Sequence, residues 1–360
     1  MFRRNETIPV NAGGVVIGGG SPVTVQSMTN TDTRDAAATV RQILELEDAG
    51  CEIIRVAVPD SEAAEAVREI KKKIHIPLVC DIHFDYRLAI KCVESGADKI
   101  RINPGNIGPF ENTLAVTKKC KASGVPIRIG VNSGSVEKKL LEKYGGPTAQ
   151  ALFESAAGHV KLLENADFRD IVISIKASDV NTSLEAYRLT AERFDYPLHV
   201  GITEAGTVRG GTIKSCVGLG AILSLGIGDT IRVSLTGDPV EEVRVAKDVL
   251  RALSLGGRKM VDFTSCPTCG RTEVDLITVA GTVEEGLEKM EREGVFKRPV
   301  KVAVMGCAVN GPGEAREADI GLAGGKGCFL IFENGEIVEK IDEDGAAEKF
   351  LACVRNKFTR

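Results

Sequence analysis

The sequence repeats one unit: a short run of β-branched residues, a turn, a stretch of helix-forming composition, and a turn back. The runs fall at Val23–Met28, Ile53–Val58, Leu78–His83, Lys99–Pro104, Pro126–Val131, Ile171–Lys176, Pro197–Ile202 and Thr230–Leu235. Their starts lie 21 to 45 residues apart, enough each time for a strand, a helix and two loops. Between them, Ala36–Ala49, Ser61–Lys73, Tyr86–Ser95, Phe110–Ser123, Thr148–Asn165, Ser183–Phe194 and Pro239–Ser254 have helical composition. Gly50, Gly96 and Gly124 stand where three of these helices must stop. Eight such units in about 255 residues predict a (β/α)8 TIM barrel, an α/β fold. A doubly wound sheet seldom needs eight regular repeats, and no G-x-G-x-x-G follows the first run. Aromatics at 4% and 39 glycines also favour strands and tight turns over a helical bundle. The Gly-rich segment Thr7–Gly20 reads as a hairpin at the barrel bottom.

The repeat stops at Gly256–Gly257, which predicts a barrel domain over 1–257 and a smaller α/β domain over 258–360. The second part holds CPTCGR, a helix near Val283–Gly294, a strand Val300–Met305 and the loop GCAVNGPGE. Strands Phe329–Phe332 and Glu336–Ile341 and a helix near Ala346–Lys357 complete it.

Charge is placed unusually inside the strands. Ile-Arg-(Val or Ile) occurs at Arg55, Arg101, Arg128 and Arg232, and Lys176 closes the run IVISIK. Parallel barrel strands are buried on both faces, so a cation there is costly unless it meets an anion. Internal ion pairs with carboxylates such as Asp81, or snorkelling out of the barrel, would satisfy one such arginine. Five cations on five strands point instead to a polyanionic ligand, a phosphate or diphosphate, at the C-terminal face where barrel active sites lie. No P-loop is present for a nucleoside triphosphate. The net charge of −4 excludes a global field steering the chain to nucleic acid. The same strand ends carry Gln26, Ser27, Asn103, Asn132, Ser178, His199 and Ser234. Asp81 and His83, two apart and so expected on one strand face, join Glu204 as general acid/base candidates; each is equally a structural hydrogen-bonder. His75 and His159 lie outside this pattern and read as structural or surface residues.

Ten cysteines in 360 residues are too few for a disulfide scaffold. MFRRNETIPV runs into glycines rather than an apolar stretch, and no 18-residue apolar run exists, so a cytoplasmic protein without membrane contact is expected. Cys266 and Cys269 form a CxxC pair, and Cys307 follows in a Gly-flanked loop. Structural zinc wants four ligands, usually with a second close pair. An iron–sulfur cluster tolerates a substituted fourth position, which Glu314 or Cys328 could supply. Cys51, Cys80, Cys92, Cys120, Cys216 and Cys353 read as ordinary buried thiols.

PVTVQSMTNTDT, DIHFDYRLA, KIRINPGNIG, PIRIGVNSGS, ISIKASD, HVGITEAG, IRVSLTGDP, SCPTCGR and MGCAVNGPGEAREADIG follow one another over nearly the whole chain. In this order they resemble the bacterial (E)-4-hydroxy-3-methylbut-2-enyl diphosphate synthase family of the non-mevalonate isoprenoid pathway. The resemblance implies a barrel that binds 2-C-methyl-D-erythritol 2,4-cyclodiphosphate and a C-terminal domain with one [4Fe–4S] cluster per subunit. It implies Cys266, Cys269, Cys307 and Glu314 as cluster ligands. Arg55, Arg101, Arg128, Asn132, Lys176, Arg232 and Ser234 would bind the diphosphate, with Asp81, His83 and Glu204 as acid/base positions. Flavodoxin or ferredoxin would donate electrons, and a homodimer is implied, the cluster domain of one subunit closing over the partner's barrel. From the residues alone, two other readings stand beside this reductase. One is a barrel that binds a phosphorylated ligand and carries a regulatory zinc or cluster domain; the other is a zinc-assisted barrel lyase or hydrolase.

Overall fold

The structure, a computed structural model, describes residues 2–256, 260–307 and 317–359. The chain divides into two compact units, Met1–Gly257 and Arg258–Arg360.

The first unit has eight parallel strands: β1 (Thr24–Met28), β2 (Ile53–Ala57), β3 (Leu78–Asp81), β4 (Lys99–Ile102), β5 (Ile127–Asn132), β6 (Ile171–Lys176), β7 (His199–Val200) and β8 (Thr230–Ile231). They pair in the order β6-β5-β4-β3-β2-β1-β8-β7, and a parallel bridge between Ile173 and Leu198 joins the two ends. The ring is therefore a barrel, as the eight repeats predict. Helices flank it, and five begin on an aspartate whose carboxylate caps a free helix N–H: Asp35, Asp60, Asp85, Asp179 and Asp238. These caps fix the loops that follow the strands. Gly50 and Gly96 take φ of 91° and 97°, the left-handed conformation that ends a helix cheaply only at glycine. Below, a hairpin of Val10–Ala12 and Val15–Ile17 packs Val10, Ala12 and Ile17 on Ile53, Val79 and Val172. That is the predicted floor. The sequence did not foretell a short helix, Lys138–Tyr144.

The strands are shorter than expected at their C-terminal ends. Pairing stops at Ala57, Asp81, Ile102, Val200 and Ile231, and the residues beyond become loop. Sequence periodicity continues there because the loop starts stay buried: Val58, Ile82, Ile202 and Val233 are all core residues.

The second unit is a five-stranded mixed sheet, β9 (Val261–Ser265), β10 (Val300–Met305), β11 (Ile320–Gly325), β12 (Cys328–Glu333) and β13 (Glu336–Asp342), in linear order. The first three are parallel and the last two antiparallel. Helices Leu276–Arg292 and Ala346–Phe358 share its main core. The sequence reading missed β9 and β11. IGLAGG is rich in glycine, a poor strand former, yet a Cβ on Gly321 would lie 2.3 Å from the Phe332 ring and 2.6 Å from the Ala303 carbonyl. The glycine lets two strands and an aromatic ring meet. No helix among the described residues is long and apolar enough to cross a membrane.

Candidate active site

In each Ile-Arg-(Val or Ile) triplet the aliphatic neighbours enter the layer between strands and helices: Ile54, Val56, Ile100, Ile102, Ile127, Ile129, Ile231 and Val233. Strand alternation therefore turns Arg55, Arg101, Arg128 and Arg232 to the barrel interior. Lys176 joins them from β6, and Lys99 lies two residues before Arg101 on the same face of β4.

The six cations meet two carboxylates. Asp81 Oδ1 accepts Arg101 Nη1 at 2.9 Å, and its Oδ2 lies 3.6 Å from Arg55 Nε. Glu242, buried on the helix after β8, takes Arg232 Nη2 at 3.2 and 3.3 Å, the Leu235 amide at 2.9 Å and Ser27 Oγ at 3.3 Å. Lys99, Arg128 and Lys176 make no ion pair among the described residues. Arg128 Nη1 finds only Gln26 Oε1 at 3.3 Å, and Lys176 Nζ lies 3.3 Å from His199 Nε2. The buried donors Gln26 Nε2, Lys99 Nζ, Arg101 Nε, Arg128 Nε and Arg232 Nε have no partner. Four arginines against two carboxylates leave positive charge in excess where dielectric screening is weak, and Lys99 and Lys176 stand ready to add to it. Such a site accepts a polyanion.

Titration reflects the crowding. Burial would raise the Asp81 carboxyl, but Arg55, Arg101 and Arg128 outweigh it and bring it down to about 2. Burial lowers Arg55 to about 9, against the pull of Asp81. Burial, then repulsion from neighbouring arginines, drives Lys99 and Lys176 well below the usual lysine range and keeps His199 neutral. Arginine holds its charge far more firmly, so around Arg128 the same forces are stored as repulsion that an anion relieves.

Space is made by glycine. A Cβ on Gly130 of β5 would fall 2.4 Å from Arg101 Nε, and one on Gly201 would fall 2.8 Å from Lys176 Nζ. Arg101 and Lys176 reach across neighbouring strands because those positions carry no side chain.

In the second unit, the topology brings the predicted thiols to one end of the sheet. Cys266 follows β9 and Cys307 follows β10, adjacent parallel strands. Gly306 N donates to Cys266 Sγ at 3.1 Å. The Arg271 amide and then its guanidinium, bonded to Cys269, hold that exposed thiol below the usual range. Soft sulfurs receiving N–H bonds suit iron–sulfur ligation. Cys328 begins β12 at the same sheet end, two strands from Cys307, and is buried. Among the described residues no three His, Cys, Asp or Glu side chains are grouped to hold a single metal ion. Glu314 lies outside the described residues.

Residues 7–247 match the GcpE TIM-barrel domain, and residues 262–356 match the GcpE protein C-terminal domain. The chain belongs to the GcpE family. A relative from Anoxybacillus flavithermus, named 4-hydroxy-3-methylbut-2-en-1-yl diphosphate synthase (flavodoxin), is 58% identical over 349 residues, covering 97% of this chain and 94% of the relative. One from Clostridium tetani with the same name is 58% identical over 353 residues, covering 98% and 99%. Among solved structures, 3-dehydroquinate dehydratase from Geobacillus kaustophilus is similar at TM-score 0.50 and 14% identity, over 69% of this chain and 99% of that one. That is a likeness of fold alone.

Within this GcpE barrel, the expected site residues do not all share one environment. Arg101, Arg128, Lys176 and Asp81 are buried, and Arg55, Arg232, Asn132 and Ser234 are half-buried. Asn132 Oδ1 and Ser135 Oγ cap the short turn after β5 reciprocally. Asp81 and His83 do not share a strand face: β3 ends at Asp81, and His83 is exposed in the loop. Glu204 is exposed with φ of 51°, a left-handed conformation costly for a residue with a Cβ. Cys216 and Cys353 are half-buried rather than buried, because each sits toward the outer side of its helix. His75 is exposed beside Glu47, and His159 is buried 3.3 Å from Glu137.

Sequence reasoning missed Lys99 and Glu242. The alternation Lys-Ile-Arg-Ile could have revealed Lys99, since it must share a face with Arg101. Glu242 gave no signal, being an acidic residue in a helix first turn, where such residues are common.

Proposed function

We propose that this chain carries out the reductive ring opening of 2-C-methyl-D-erythritol 2,4-cyclodiphosphate to (E)-4-hydroxy-3-methylbut-2-enyl diphosphate. The chain is an oxidoreductase of the GcpE family with flavodoxin as electron donor. Two electrons and two protons enter, the ring C–O bond to phosphate breaks, and the C3 oxygen leaves as water. The uncompensated cations inside the barrel carry this reading: a cyclic diphosphate supplies the missing negative charge, and that charge grows as the ring opens.

Cys266, Cys269, Cys307 and Glu314 would hold a [4Fe–4S] cluster. Bound there, the cluster supplies electrons and a Lewis acid at a weakly held iron. Arg128 and Lys176 have no carboxylate partner and bind the diphosphate most directly; Arg55, Arg101, Arg232, Asn132 and Ser234 complete its surround. Asp81 is ionised at neutral pH and occupied by two arginines, so it orients them rather than giving up a proton. Glu204, exposed on a strained loop after β7, and His83, exposed after β3, are the groups free to move protons. The enzyme works as a cytoplasmic homodimer.

The direct test is anaerobic turnover of the cyclic diphosphate with dithionite. Brown protein and the open-chain allylic product are expected. A colourless protein carrying one zinc and no sulfide would sink the reductase reading.

A further inference from the structure

Beneath the ring of cations lies a lysine that the reaction above leaves unused. Lys99 is 0% exposed, and its Nζ has no hydrogen-bond partner. It sits at the start of β4, beside Val79 of β3, above the apolar floor formed by the hairpin. Arg128 from β5 and Arg55 from β2 oppose its charge, and Arg101 stands two residues further along its own strand. His199 on β7 is neutral, and β1 contributes the uncharged Thr24 and Gln26. The one carboxylate facing this set from the strands, Asp81, is taken by Arg101 and Arg55. The neighbouring Asp98 is taken by Lys71 at 2.6 Å and the Leu78 amide at 2.7 Å. Glu242 is taken by Arg232. Among the described residues Lys99 has no counter-ion.

We propose that Lys99 is a floor cation of the diphosphate site. It takes a proton from solvent when a polyanion fills the ring above it, and the added charge favours ligands of high negative charge. The inference rests on the polyanion reading of the barrel. Physically, an amine buried among arginines sheds its proton, because desolvation and repulsion both oppose the charge. A diphosphate reverses the second term, and the weakly screened interior carries its field to an amine that it does not touch. Lys99 is thus a positioning residue for charge rather than a contact.

Inorganic pyrophosphate is the probe, titrated calorimetrically onto the anaerobic holoenzyme at neutral pH in buffers of different ionisation heat. Lys99→Met should take up about one proton fewer per pyrophosphate than wild type, since exchange at Lys176 and at pyrophosphate itself is common to both. The variant should bind pyrophosphate about tenfold more weakly, yet unfold at a higher temperature, since it no longer buries an unpartnered amine. A residue that only packed would shift both properties together and leave the proton count alone. Lys99→Gln, which keeps a polar tip but cannot charge, should lose the proton uptake equally. Pyrophosphate binding with the same proton count in wild type and in both variants overturns the inference while leaving the polyanion site standing. A wild type that does not bind pyrophosphate overturns the polyanion reading, and this inference with it.

Discussion

The two regions that carry chemistry are built on opposite terms. In the barrel, the candidate groups are threaded through β-strands and buried, Arg128 to 1% exposure, so the fold bears their desolvation. In the smaller unit, Cys269 is exposed on the turn after an edge strand, while Cys266 is half-buried against the core and Cys307 is buried. Buried charge is bound up with stability, whereas exposed thiols are nearly free of it. Substitutions in the barrel should therefore move stability and binding together, often with opposite signs, and one at the exposed Cys269 should move activity alone.

The largest effect tests the thiol side. Cys269→Ser should abolish both the visible absorbance of the cluster and dithionite-driven turnover, with the sheet still folded by circular dichroism. Turnover that survived would remove Cys269 from the ligand set. Next, Glu204→Gln should keep the brown colour and lower kcat by about 10²–10⁴, the usual worth of a positioned acid or base. A retained rate would strike Glu204 from the proton path.

Inside the barrel, Asp81→Asn leaves Arg55 and Arg101 buried without their anion and should cost about 3–5 kcal/mol in denaturant unfolding. Arg128→Met removes a cation that has no carboxylate; it should weaken substrate binding by at least ~2 kcal/mol while raising the unfolding midpoint. If both substitutions destabilise equally, the division into compensated and uncompensated cations is wrong. The smallest effect is in acid. The Asp81 carboxyl is lowered to about 2 in the folded protein, against about 3.9 unfolded. Its contribution, about 2–3 kcal/mol, is complete above the unfolded value and is lost as pH falls through the folded one. Unfolding curves between pH 5 and pH 2 should show that loss in wild type and not in Asp81→Asn.

Much of this was legible without a structure. Eight regular repeats define a barrel because parallel strands need a crossover helix each, and that spacing is a local property of the chain. The strands that carry Arg55, Arg101, Arg128 and Arg232 were plain from the repeated triplet, although the inward turn was not; the packing of the aliphatic residues on either side decides it. The chain order of Cys266, Cys269 and Cys307 was likewise plain, although β9, which brings the first pair beside the third, was not predicted. Strand ends were overextended because burial continues into the loops after pairing stops.

By itself, the sequence determined the barrel, the strands on which its arginines lie and the thiols available for a cluster, since all three follow from pattern and spacing along the chain. The tertiary structure decided which cations are neutralised. Glu242 reaches Arg232 and Ser27 only because β8 closes against β1, and Asp81 reaches Arg55 and Arg101 only because β3 lies between β2 and β4. Ion pairing inside a barrel depends on which strands are neighbours and on where a glycine leaves room for a guanidinium, and neither is a local property. The same closure leaves Lys99 without a partner.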